Sequence, residues 1–210
     1  MIKFVLNSCI MKKFFLFLFT SGLAVSVYAQ TQASLNPGTL NTAVKAPPMD
    51  KSPLDLAYFP ADYPMLKTQN KVSQAPMIRV IYSRPQVDNR EIFGDLVEYD
   101  KVWRLGANES TEIELFRDAV IGGKKIPKGR YTIYAIPTET KWTIILNKDT
   151  DSWGAFVYDP KKDILRTDVP VQNLPEKVED FSMYFSKTST GASLVIAWDK
   201  VSVTLPILIK

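Results

Sequence analysis

FSMYFS (181–186) and VSVTLPI (201–207) decide the fold. In the first, Phe181, Met183 and Phe185 alternate with Ser182, Tyr184 and Ser186. In the second, Val201, Val203, Leu205 and Ile207 alternate with Ser202, Thr204 and Pro206. Successive side chains on a strand point to opposite faces, so a period of two marks a strand with one face on a core. WTIILN (142–147) repeats the pattern through Trp142, Ile144 and Leu146. Further strands are expected at 77–83, 111–117, 130–136, 153–158, 163–169 and 192–198. Turn signals separate them: Gly122-Gly123, Pro127-Lys128-Gly129, Asp159-Pro160 and Thr190-Gly191. The one helical candidate is 98–104. Many short strands with frequent turns predict an all-β domain over 77–210, an antiparallel β-sandwich with a barrel as the alternative.

Upstream the composition changes. Seven of the 14 prolines fall between Gln30 and Pro76, and proline excludes long helices and central strands. Residues 30–76 therefore read as a Pro-rich linker and arm. Leu54, Leu56, Tyr58 and Phe59 predict that its second half lies along the domain and covers part of it. Residues 1–29 read as a signal peptide: Lys12-Lys13, an apolar run from Phe14 to Val27, and a small-x-small site at Val27-Tyr28-Ala29. The expected destination is the periplasm or the outside of the cell, with cleavage between Ala29 and Gln30. The run is too short for a stable membrane span of about 20 residues.

Several chemistries drop out. The chain has no His, and its single Cys, Cys9, lies in the expected signal. His-based triads, imidazole bases and soft metal sites have no ligands to use. Neither a cofactor nor a transition metal is expected. Loss of the signal removes Lys3, Lys12 and Lys13 and no acid, taking 26 basic residues to 23 against 22 acidic ones. Without a basic cluster, nucleic acid is not an expected partner. The patterns S-x-x-K, G-x-S-x-G, the Walker loop and G-x-G-x-x-G are all missing.

Two stretches carry polar chemistry. VWRLGANE (102–109) joins Trp103, Arg104, Asn108 and Glu109 in a loop shaped by Gly106 and Asn108, which both tolerate positive φ. Arg84, in YSRP (82–85), is a further candidate. A guanidinium is a planar fork of donors suited to acid groups, so the expected ligand is anionic or sugar-like. The competing reading is structural: a buried Trp103 with Arg104 braced against Glu109. NKDTDSWG (147–154) places Asn147, Asp149 and Asp151 like the start of a calcium loop, but lacks the turn glycine and closing Glu of an EF-hand. Asx-capped turns explain the same residues.

VIYSRP (80–85), IFGDLVEYDKVWRLGANESTEI (92–113), the long run 121–166 and LVIAWDKVSVTLPI (194–207) resemble the bacterial family called domain of unknown function 2911. DKSPLDLAYFP (50–60) is similar too. The resemblance implies an exported, single-domain, β-rich protein of Gram-negative bacteria, and brings no catalytic residues with it. The leading expectation is a non-enzymatic binding or envelope-associated module with a loop-borne site. The alternatives are a carboxylate-based glycan hydrolase or lyase, and a structural module that binds an envelope protein.

Overall fold

The computed structural model describes residues 46–209. The expected signal peptide and the linker as far as residue 45 lie outside them. Residues 47–209 gather into one compact unit. Its nine strands are β1 (Leu54–Phe59), β2 (Ile78–Ser83), β3 (Glu112–Leu115), β4 (Ala119–Ile121), β5 (Lys124–Ile126), β6 (Gly129–Pro137), β7 (Lys141–Asn147), β8 (Asp163–Thr188) and β9 (Gly191–Ile209). They form one antiparallel sheet in the order β1-β2-β3-β6-β7-β8-β9-β4-β5.

The two long strands fold this sheet over on itself. The first part of β8 pairs with β7, from Asp163 to Pro170, and the remainder pairs with β9. Register shifts at Asn173/Val178 and Val178/Ser182 interrupt that second ladder. Bulges of this kind bend a strand and let it turn a corner. Asp199, with φ 52, lies opposite Val178. It separates an inward set at Leu194, Ile196 and Trp198 from a second one, of opposite phase, at Val203, Leu205 and Ile207. The period-two runs of the sequence are the buried faces, with Phe181, Met183 and Phe185 at most 6% exposed. Across the fold Phe59 meets Phe185 and Tyr82 meets Phe181. The sheet is not closed into a barrel, although a bridge from Gln86 to Asp180 ties the end of β2 to β8.

Two expectations need correction. Residues 98–104 form turns rather than a helix; Trp103 is instead held to β6 by mutual backbone bonds with Ala135 at 2.7 and 2.9 Å. The helix is α1 (Tyr63–Thr68), inside the Pro-rich arm, with Pro64 in its first turn, where the missing N–H costs nothing. Residues 153–158 are turns as well, because Trp153, Phe156 and Val157 are exposed and bury no face. The arm contributes β1, an edge strand bracketed by Pro53 and Pro60. Proline is tolerated at such edges.

Candidate functional site

The 103–111 loop is shaped by its own backbone. The Thr111 N–H donates to the Arg104 carbonyl at 3.1 Å, and the Thr111 hydroxyl donates to the Leu105 carbonyl. Leu105, Gly106 and Asn108 have φ of 56, 141 and 56°. Gly106 is needed there for two reasons: the positive φ, and a Cβ that would lie 3.1 Å from the Ser83 carbonyl oxygen. The loop is thus pressed against the end of β2, and the Ser83 hydroxyl donates to the Ala107 carbonyl at 2.6 Å.

Trp103 points into the core. It is 7% exposed, its indole N–H donates to the Gly106 carbonyl at 3.2 Å, and its ring stacks on Trp198 with centroids 6.0 Å apart. Phe93, Trp142 and Phe181 pack against it edgewise. Such aromatic contacts contribute about 0.5–1.5 kcal/mol each beyond area burial.

Arg104 has a different environment. It is half-buried, and its Nε is fully buried with no hydrogen-bond partner. Among the described residues it makes no ion pair, so the brace to Glu109 is not formed. Burial draws its pKa below the ordinary guanidinium value, though Arg stays charged at neutral pH. Arg104 borders a cavity of about 150 Å³ together with Arg90, Ser52, Trp103 and Trp198. Arg90 donates to the Val87 and Gln86 carbonyls at 3.1 and 2.5 Å and meets no carboxylate among the described residues. Arg104 and Arg90, neither of them ion-paired among the described residues, therefore both line one cavity. At about 30 Å³ per water, it has room for an acid group of a few heavy atoms.

Arg84 is not part of that cavity lining. Its guanidinium donates to Asp55 Oδ2 at 3.0 Å, to the Phe181 carbonyl at 3.2 Å and to the Ser182 hydroxyl at 3.1 Å. It joins β1, β2 and β8. Asn108 donates to Asp50 Oδ1 at 3.1 Å. Glu109 faces the other side of the loop, where a second cavity of about 290 Å³ opens between Glu109, Glu112, Asp151, Trp153 and Leu54. The five sequence candidates are thus divided between the Arg104 cavity, the Glu109 cavity and contacts that tie the fold.

The calcium-like stretch is committed to protein partners. Asn147, 1% exposed, donates to the Asp159 carbonyl and to Asp163, and accepts from the Asp149 N–H at 2.8 Å. Asp149 pairs with Lys162 at 2.8 Å and Asp151 with Arg130 at 2.5 Å. This is the Asx-turn reading.

Sequence reasoning missed Arg90 and Trp198, which carry no local signal and reach the cavity only through the fold. A third cavity of about 530 Å³ lies between Phe59, Leu66, Met77 and Phe185. It is larger, and its otherwise apolar lining also includes Asp62 and Lys187.

The fold and these cavities define an all-β protein that carries its polar chemistry on loops at the end of a bent antiparallel sheet. The chain belongs to the family described as "Protein of unknown function (DUF2911)", whose model matches residues 64–207, more than half of the chain. The match begins after the 50–60 segment. No curated protein and no solved structure matches the chain.

Proposed function

We propose that this chain is an exported, non-enzymatic binding module of the cell envelope that holds a small anion in the Arg104 cavity. One observation carries the reading: the Arg104 guanidinium is partly desolvated, its Nε unbonded, beside a second arginine that meets no acid. A buried donor left unsatisfied costs about 1–3 kcal/mol, more when charged. A carboxylate, sulfate or phosphate in the cavity would offset the positive charge that Arg104 and Arg90 bring to its lining. The indoles of Trp103 and Trp198 keep the inner wall rigid and limit water, which strengthens the interaction.

Export rests on the signal pattern at 12–29. Intact mass of the envelope-fraction protein tests it: a chain beginning at Gln30 is expected, and a cytosolic product beginning at Met1 or Met11 would overturn it. For the ligand, thermal melts in acetate, succinate, sulfate and phosphate are compared with chloride at matched ionic strength. At least one acid should raise the melting temperature of the native chain, and Arg104→Ala and Arg90→Ala should each abolish the increase. A uniform response across the anions, unchanged in both variants, would sink the anion site.

A further inference from the structure

On the far side of the same loop, Glu109 and Trp153 face each other in an isolated antiparallel bridge. The Ser110 N–H donates to the Ser152 carbonyl at 3.0 Å, and the Gly154 N–H to the Asn108 carbonyl at 3.1 Å. This makes Glu109 and Trp153 a pair without mutual backbone bonds, the kind whose side chains stand closest, on one face. Carboxylate and indole are therefore neighbours by register. Trp153 is 58% exposed, whereas Trp103, Trp142 and Trp198 are at most 7% exposed.

Behind the bridge, hydroxyl groups fix the cleft. Ser110 donates to the Gly154 carbonyl at 2.5 Å, Ser152 donates to Ser110 at 3.2 Å, and Tyr134 meets Ser152 at 3.0 Å. Arg130 pairs with both Glu112 and Asp151, at 3.3 and 2.5 Å. Those two acids share one guanidinium, while Glu109 has no hydrogen-bond or ion-pair partner among the described residues.

We propose that this cleft binds a saccharide ring, independently of the anion cavity. The indole face is the negative pole of the ring quadrupole, and the C–H bonds on one face of a pyranose present weakly positive hydrogens to it. At the ring edge, the Glu109 carboxylate accepts from sugar hydroxyls in charge-assisted hydrogen bonds. A volume near 290 Å³ stands at the small end of ligand pockets, about 300–1,000 Å³, a size for one or two sugar rings. The opposing occupant is an organic cation, which the excess of acids over Arg130 would attract.

Saturation-transfer NMR with D-glucose, D-galactose, D-mannose, N-acetyl-D-glucosamine and their β-linked disaccharides tests this on the mature chain. At least one sugar should receive saturation on a single ring face and shield Trp153 from acrylamide quenching. Trp153→Ala replaces an exposed side chain, so the variant should fold, and affinity should fall by about tenfold. Glu109→Gln should weaken binding several-fold, and Arg104→Ala should leave it unchanged. No transfer to any sugar, transfer undiminished in Trp153→Ala, or protection by tetramethylammonium in place of sugars would each overturn the proposal.

Discussion

Arg84 and Arg104 both stand where a strand or strand-like segment gives way to a loop, and the fold treats them in opposite ways. Arg84 spends its donors on three partners from two other strands, one of them the carboxylate of Asp55. Arg166 behaves similarly, donating to Asp163 at 2.8 Å and to the Tyr158 hydroxyl oxygen at 2.6 Å. Arg104 has a buried Nε that bonds to nothing and an adjoining cavity that holds a second arginine. A guanidinium with its fork filled is structural, whereas one left open beside a cavity is available to a ligand. Sequence context does not separate them, since both sit beside aromatic residues and turn residues.

The largest effect should come from the wall behind the open arginine. Trp103→Ala removes a ring packed against four aromatic neighbours and should cost about 3–5 kcal/mol, measured by chemical denaturation. A loss below about 1 kcal/mol would mean that the aromatic cluster does not hold the loop. Arg84→Ala should cost about 1–2 kcal/mol, because water can reach Asp55 once the arginine is gone. Its anion response should match that of the native chain. Loss of the anion response in Arg84→Ala at full stability would break the division between the two arginines.

A third test uses pH. Burial first, and then the hydrogen bond to Asp163, push the Tyr158 hydroxyl up to about 12. The folded value is raised above the ordinary 10, so the neutral form is favoured in the native state. Its contribution is complete below pH 10 and fades as pH rises from 10 to 12. Melting temperature against pH should show a smaller loss in that window for Tyr158→Phe than for the native chain. Identical profiles would remove Tyr158 from the Arg166 network. The half-buried position of the ring reduces this effect through solvent screening.

Arg104→Ala should change stability least, within about 0.5 kcal/mol. In a cycle with Glu109→Gln the coupling should stay below about 0.5 kcal/mol, since no contact joins the two. Strong coupling would restore the structural brace between Arg104 and Glu109.

The strands at 142–147, 181–186 and 201–207 were legible because their signal is local: period two on one face. β4 and β5, three residues each, were not, because so short a run cannot show a period. The continuity of β8 through 170–180 was hidden for another reason: Val171, Gln172, Asn173 and Leu174 pass through the corner where the inward face changes. In the candidate site, the unusual turn at Gly106 and Asn108 could be read from residue chemistry. Its division into two opposite cavities could not.

What the sequence determined by itself was the set of local preferences: which faces are apolar, where φ turns positive, and which reactive groups are missing. Only the tertiary structure decided which charges are satisfied. Asp55 reaches Arg84 across 29 positions of chain, and Trp198 stacks on Trp103 from the middle of β9. Strand periodicity is a property of neighbouring residues, whereas an ion pair or a cavity depends on where distant segments meet. The fold supplied acids to Arg84 and Arg130 and none to Arg104, and the candidate site follows from that allocation.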